Sequence, residues 1–349
     1  IMISASHNEH SDNGIKFFGP DGYKLSDSVE LEIEALVSKG IGYVSPEDIG
    51  RAKRIDDGRY RYIERVKSSF PNQMRLDGLK VVIDCANGAG YKAAPEVLWE
   101  LGAEVIPVGV SPDGRNINLD CGSTNPTVAA ETVVAHAADV AICLDGDADR
   151  VLIIDEFGRP IDGDQFLGMI GSRWFKNGNL VENTLVSTVM SNMRLEAFLK
   201  QEGIKLVRTS VGDRYVVERM RLNGFNLGGE KSGHVVMMDY ATTGDGLMAG
   251  LQFLAEMVRT NEVASVVGRP FDLAPQKTEN ITYAGDKNPL DHPSIKKIIS
   301  ESEKKISGFG RLLVRKSGTE KLIRIMVEAE DASVIDATMS PVVAAIKEL

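Results

Sequence analysis

The stretch KVVIDCANGAGYKAAPEVLWELGAEVIPVGV, Lys80 to Val110, constrains the fold most. It reads as a strand, a glycine-rich turn, a helix and a second strand, the succession of a βαβ unit. Its first strand is apolar without alternation and reads as buried. The same grammar continues through Asn125 to Ile161, where a helix leads into VAICL, a polar loop and VLIID, and Gly158 and Pro160 close the run. It restarts at Thr184 and runs to Met237 as strand, helix, strand, glycine-containing loop, helix and strand. Beyond Arg269-Pro270 the pattern changes to a helix near SIKKIISESEKKI, strands RLLVR and LIRIMVEAE, and a last helix over ASVIDATMSPVVAAIKEL, an α+β module. The expected fold is therefore multi-domain α/β, with βαβ-type mixed sheets and a C-terminal α+β domain. The expected boundaries give segments 1–75, 76–160, 161–269 and 270–349. In the first segment Asp27 with Glu30 reads as a capping box, followed by an apolar stripe of Val29, Ile33, Leu36 and Val37 and a stop at Gly40. A second helix, RYRYIERVKSSF, ends near Pro71.

The totals narrow the function. A net charge of −10 disfavours nucleic-acid binding but leaves room for local basic loops that hold a small anion. Cys85, Cys121 and Cys143 are an odd number, widely spaced, and read as reduced thiols. No apolar run approaches a membrane span, so a cytoplasmic enzyme without membrane contact is expected. The chain opens at Ile1 inside a strand-like run, which reads as a truncated first domain that exposes edges and core; a chain so shortened is expected to be impaired or unstable unless the missing piece is supplied.

Five loops carry chemistry. The first is Ser4-Ala5-Ser6-His7-Asn8, at a strand end, with Lys16 in the next apolar stretch. A second, LDGDADR, sets Asp145, Asp147 and Asp149 in alternation after an apolar strand, where three carboxylates can converge on a hard cation such as Mg²⁺. Without a metal they would raise one another's pKa. A helix–loop–helix calcium site does not fit, because Arg150 stands where that loop needs glycine. Two readings remain beside the metal: a solvated acidic turn, or a phosphatase with Asp145 as phospho-acceptor. GGEKSGH, Gly228 to His234, offers Glu230, Ser232 and His234 on a flexible backbone, for sugar hydroxyls or an amine, or else forms a tight hairpin. In RKSGTEKLIR, Arg315, Ser317, Gly318, Thr319 and Arg324 suit a phosphate monoester, or else a hairpin with surface arginines. The loop at Thr209, Gly212, Asp213 and Arg214 is compatible with a phosphate or hydroxyl contact. NGAGYK lacks the third glycine of a dinucleotide turn and reads as packing.

In order and separation, four of these loops resemble those of the α-D-phosphohexomutase family over essentially the whole chain. NGIKFFGPDGYKL, TSVGDRYVVERM, GGEKSGH and TTGDGLMAGLQFL are most similar to the branch that acts on glucosamine phosphate. The resemblance implies four domains around a central cleft. It implies interconversion of glucosamine 6-phosphate and glucosamine 1-phosphate, with glucosamine 1,6-bisphosphate as intermediate and activator. It makes Ser6 the phosphoserine, and Asp145, Asp147 and Asp149 the Mg²⁺ ligands together with the Ser6 phosphate. Arg150 stands beside the metal, and His7 and Lys16 lie near the transferring group. Thr209, Gly228, Glu230, Ser232 and His234 fall to the sugar, and Arg315, Ser317, Gly318, Thr319 and Arg324 to the non-reacting phosphate. It also leaves room for a homodimer. Glucose and mannose phosphates are the alternative substrates, and a non-catalytic sugar-phosphate binder is the alternative of another class. The chain departs from the family's usual pattern at Glu9, where proline is common, at Ala148, where many members have glycine, and at Lys231.

Overall fold

The computed structural model describes residues 1–40, 42–283, 288–317 and 321–348. By its internal contacts the chain forms two compact units, Ile1–Met190 with Gly203–Pro270, and Ser191–Glu202 with Phe271–Leu349.

The first unit begins with a hairpin. Strand β1 (Met2–Ser4) pairs antiparallel with β2 (Gly14–Lys16), with Ser4 opposite Gly14. Helices α1 (Asp27–Lys39) and α2 (Gly58–Lys67) follow. The expected capping box of α1 is not formed. Ser26 is its N-cap, without a side-chain cap, and Asp27 and Glu30 instead pair with Arg214. A guanidinium from a distant helix outcompetes the local backbone N–H because a charged partner binds a carboxylate more strongly. The stripe on α1 is not a core face either, since no α1 residue is buried and Leu36 and Val37 are exposed.

Five strands build the next sheet in the order β4-β3-β5-β6-β7. The βαβ reading holds for β3 (Lys80–Asp84), α3 (Ala93–Glu100) and β4 (Glu104–Val108), because β3 and β4 are parallel. Helix α4 (Thr127–His136) leads to β5 (Val140–Leu144), parallel to β3. Strands β6 (Val151–Asp155) and β7 (Pro160–Ile161) then turn back antiparallel. All five residues of β5 are buried, as its unbroken apolar run requires. Ala129 and Val133 of α4 pack on Val82, Ala141 and Cys143 of this sheet.

A second sheet, ordered β11-β10-β8-β9, is set up by α5 (Gly163–Lys176) and β8 (Thr184–Thr188). Helix α6 (Met193–Glu202) belongs to the other unit. Strand β9 (Lys205–Thr209), α7 (Asp213–Asn223), β10 (Leu227–Gly229) and β11 (Val235–Met237) complete the sheet. Helix α8 (Gly246–Thr260) is buried from Gly246 to Met257, and a Cβ at Gly250 would lie 2.9 Å from Ile142, so α8 lies hard against β5. It is buried along this whole length, with Gln252, Glu256 and Arg259 forming a polar stripe on an otherwise apolar helix. The short helix α9 (Ala264–Val267) ends the unit.

In the second unit β12 (Gln276–Thr282), β13 (Gly310–Lys316) and β14 (Leu322–Ala329) form an antiparallel sheet in the order β12-β14-β13. Helices α10 (Pro293–Ile306) and α11 (Ser333–Lys347) share its core with Ile323, Ile325 and Val327. Strand β12 was not expected from the sequence: QKTENIT is polar because it is an edge strand with most side chains in water.

Candidate functional site

The hairpin β1–β2 delivers Ser6 and Lys16 to the metal-type loop between β5 and β6. Antiparallel pairing sets Leu144 opposite Val151, so the intervening Asp145–Arg150 must form a tight turn. Asp145 is fully buried and accepts the Arg150 backbone N–H at 3.0 Å. The carboxylates of Asp145, Asp147 and Asp149 each offer an oxygen within 4.8 Å of the others. Lys16 Nζ lies 2.5 Å from Asp147 Oδ2 and 3.9 Å from Asp149 Oδ2.

Two contacts hold the serine loop against this turn. Ser4 Oγ donates to Asp147 Oδ2 at 3.2 Å and accepts the Ser6 backbone N–H at 2.8 Å. Gly146 passes so close that a Cβ there would stand 2.5 Å from the Ser6 carbonyl oxygen, so a larger residue would push the loops apart. Ser6 takes the left-handed conformation (φ 54°), and its Oγ is 3.3 Å from His7 Nδ1. Strain of this kind in a half-buried serine points to function rather than to packing.

Two supporting groups carry no signal in the sequence. Asn118 donates to the carbonyls of Ser6 (2.9 Å) and Asn8 (2.6 Å), which fixes the loop from a third segment. The NGAGYK turn, expected only to pack, also braces the metal-type loop: Ala89 donates its backbone N–H to the Gly146 carbonyl at 2.8 Å. An isolated asparagine in a loop gives no pattern that sequence reasoning could use.

The charges follow from this crowding. Burial, then the neighbouring Asp149 and Asp147, pushes the Asp145 carboxyl up to about 8. Burial works in the same direction on Asp147, but the Lys16 hydrogen bond and charge overcome it and hold Asp147 below its ordinary value. Lys16 is raised: burial opposes its charge, and Asp147 with its acidic neighbours outweighs that. His7 is lowered, first by burial and then by Arg150. Asp145 Oδ2, Asp147 Oδ1 and Asp149 Oδ1 are buried and make no hydrogen bond among the described residues. Three orphaned carboxylate oxygens on one turn fit a hard divalent cation.

Ala148 stands in the left-handed region (φ 61°) within this turn. Glycine avoids the Cβ penalty there, so Ala148→Gly is expected to stabilise the protein by about 1 kcal/mol or less in denaturant unfolding, with the carboxylates left in place.

The GGEKSGH segment splits by position. Glu230 Oε1 accepts the Gly212 backbone N–H at 3.1 Å, joining this loop to the start of α7. Ser232 is exposed. His234 is buried, with Nε2 3.7 Å from both Asp149 Oδ2 and Asp213 Oδ2, so it spans the metal-type loop and α7. Asp213 is itself ion-paired with Lys24. Gly228 lies in β10, where a Cβ would meet Met220 Sδ at 2.6 Å and Val216 at 2.9 Å; its lack of a side chain serves packing against α7. Thr209 is buried and donates its hydroxyl to backbone carbonyls of Ser187 and Ser210 at 3.3 and 3.0 Å.

In the second unit Arg315 of β13 stands directly opposite Arg324 of β14. Like charges in that relation are destabilising by themselves, and a bound anion would relieve the repulsion. Arg324 Nε makes no hydrogen bond among the described residues. Ser317 is buried, with its N–H bonded to the Leu322 carbonyl at 2.7 Å. Gly318 and Thr319 lie outside the described residues.

Four family models match in order. The models for phosphoglucomutase/phosphomannomutase α/β/α domains I, II and III match residues 1–43, 60–158 and 162–271, and that for the C-terminal domain matches 278–345. The chain belongs to the phosphoglucomutase/phosphomannomutase family. Among curated relatives of this family, the phosphoglucosamine mutase of Ruegeria sp. (strain TM1040) is 64% identical over 347 residues, covering 99% of this chain and 78% of the relative. Among solved structures, a phosphoglucomutase/phosphomannomutase family protein from Burkholderia thailandensis matches with a TM-score of 0.80 at 20% identity, over 99% of this chain and 75% of that one. The Aspergillus fumigatus N-acetylphosphoglucosamine mutase in complex with GlcNAc-6P and magnesium matches with a TM-score of 0.65 at 20% identity, over 82% and 70%. The multi-domain phosphohexomutase fold expected from the sequence is therefore the fold of this chain. No helix among the described residues is long and apolar enough to cross a membrane.

Proposed function

We propose that the chain interconverts glucosamine 6-phosphate and glucosamine 1-phosphate, with Ser6 as the phosphoryl carrier and glucosamine 1,6-bisphosphate as the intermediate. The observation that carries this is the seating of the strained Ser6 loop on the Asp145–Arg150 turn through Ser4, Asp147 and Gly146. The activity named for the Ruegeria relative supports the choice of sugar.

Asp145, Asp147 and Asp149 would hold Mg²⁺, the ion named with the Aspergillus protein. When bound, the ion supplies charge neutralisation for the phosphoryl group on Ser6. In the forward step the bond from phosphorus to Ser6 Oγ breaks, and a bond from phosphorus to a sugar hydroxyl oxygen forms. The hydroxyl proton passes to a base, and Ser6 Oγ is left as an alkoxide that Lys16 and Arg150 stabilise before it is protonated. Lys16 is held cationic by Asp147, so its part is charge neutralisation. His7 is held towards the neutral form and stands beside Ser6 Oγ, which makes it the candidate base for the Ser6 proton in the return step, when Ser6 Oγ takes the phosphoryl group back. Glu230, Ser232 and His234 bind or position the sugar. The bisphosphate then turns round, and its other phosphate returns to Ser6.

The non-reacting phosphate falls to Arg315 and Arg324 with the backbone around Ser317. Arg324→Ala is expected to raise KM for glucosamine 6-phosphate roughly 10- to 100-fold with a smaller change in kcat, as loss of one charge-assisted contact predicts. Steady-state kinetics checks it.

The proposal is tested by incubating the protein with Mg²⁺ and glucosamine 1,6-bisphosphate and mapping phosphate by peptide mass spectrometry. Phosphate on Ser6, with turnover of glucosamine phosphate ahead of glucose and mannose phosphates in a substrate panel, is the expected result. Phosphate on Asp145, trapped as an acyl phosphate, would make the protein an aspartyl phosphatase instead. Bound sugar phosphate with no phosphate transferred would make it a binder.

A further inference from the structure

Away from the Ser6 site, Arg173 of α5 lines a recessed cavity of about 330 Å³ together with Ser68, Asn72, Trp174, Asn177 and Tyr240. The volume lies at the lower end for small-molecule sites. Arg173 is only 8% exposed. Its Nη1 donates to the Gln252 carbonyl at 2.9 Å, and its Nε makes no hydrogen bond among the described residues. The nearest carboxylate is Glu256, 3.6 Å from Nε, and Glu256 is already held by Arg259 through both of its oxygens. Two guanidinium groups therefore share one carboxylate, and Arg173 keeps an excess of positive charge where water cannot screen it. Burial lowers its pKa, and Glu256 opposes that shift.

The lining gives a second, independent observation. Among the described residues no aspartate or glutamate lines the cavity, in a chain whose net charge is −10. Its other lining groups are mainly neutral amides and hydroxyls, with Trp174 and Tyr240 edge to face at 6.2 Å. Arg65 of α2 fixes the Tyr240 end of the wall by donating to the Tyr240 carbonyl at 2.9 and 2.6 Å. A pocket with a buried arginine, no acid, neutral amide donors and aromatic walls selects a small anion with a polar body. We propose that this cavity is a second ligand site, separate from the Ser6 site, for a small phosphate monoester held by Arg173. The proposal does not depend on which sugar the Ser6 site takes.

Trp174 provides the readout. The chain has two tryptophans, and the other, Trp99, is exposed on α3, so a Trp99→Phe background isolates the cavity. Inorganic phosphate and glycerol phosphate are titrated separately while emission is followed. The expected result is a saturable change, tighter for the monoester. Asn177→Asp places a carboxylate on the exposed rim without disturbing the core, and is expected to weaken both ligands roughly tenfold. Arg173→Met is expected to abolish the response; if that variant does not fold, Asn177→Asp still decides. Arg324→Ala is expected to leave the response unchanged. No saturable change, equal response to chloride, a monoester bound no tighter than inorganic phosphate, full affinity in Asn177→Asp, or a response lost in Arg324→Ala would each overturn the proposal.

Discussion

Replacing Ser6 by alanine is expected to lower mutase turnover by about 10⁴-fold or more and to remove phosphate from the Ser4–Asn8 peptide, the scale of effect seen when an enzyme loses its nucleophile. The neighbouring serine cannot substitute. Ser4 Oγ is committed on both sides, accepting from the Ser6 backbone N–H and donating to Asp147. Ser6 Oγ has His7 Nδ1 as its neighbour, and the left-handed backbone turns the residue out of the line of β1. Ser4→Ala is the matched control. It removes a tether between the loops but no reacting atom, so turnover should fall about 10- to 100-fold, the cost of one lost positioning contact, with the phosphopeptide retained. If Ser6→Ala kept more than a few per cent of turnover while Ser4→Ala abolished it, the carrier would be assigned to the wrong serine.

The difference between these two serines marks the limit of what the sequence could tell. Both stand at a strand end followed by histidine and asparagine, and only the resemblance to the family chose between them. The strands themselves were legible, because VAICL and VVID are apolar without alternation and two-sided burial leaves that pattern. The convergence of three alternating aspartates after such a strand was legible for the same reason: the hairpin must turn there, and the turn collects their side chains. The supports were not legible. Asn118 reaches the Ser6 loop across more than a hundred residues, and no local pattern encodes a contact of that separation. The α1 reading failed because Asp27 and Glu30 do match a local box, and a tertiary partner, Arg214, takes both carboxylates. Gly228 was read with its loop, although its missing Cβ is needed by Met220 and Val216 beneath it. Composition identified the loop, but only packing could say which glycine belongs to it.

Asp145→Asn is expected to separate what the buried carboxylate does for catalysis from what it costs the fold. Turnover should fall by about 10³-fold or more, since a ligand is lost at the point where phosphoryl charge is neutralised. Stability without metal should move the other way. In the folded protein Asp145 is pushed up to about 8, mainly by burial and then by Asp149 and Asp147, from an ordinary value of 3.8. A carboxyl raised on folding contributes its stability fully below its unfolded pKa and loses it as pH rises through the folded value. Metal-free protein should therefore melt at progressively lower temperature from about pH 4 to about pH 8 as far as Asp145 is concerned. Asp147 acts in the other direction: it is held low by Lys16, so its contribution is present above its ordinary value and is lost only in acid. The two windows do not overlap; Asp84 and Asp245 are also raised by burial, so it is the part of the alkaline slope lost in Asp145→Asn that reports on Asp145. Melting curves with a chelator at pH 6 and pH 8.5 should show that slope in the parent and less of it in Asp145→Asn. Added Mg²⁺ should raise the melting temperature of the parent most at pH 8.5, where the carboxylates are charged, and should do little for the variant. A variant that melts lower than the parent without metal at pH 8.5, or that keeps the full Mg²⁺ response, would mean that Asp145 is held by hydrogen bonds that want its charge, and that the cation is bound by Asp147 and Asp149 without it.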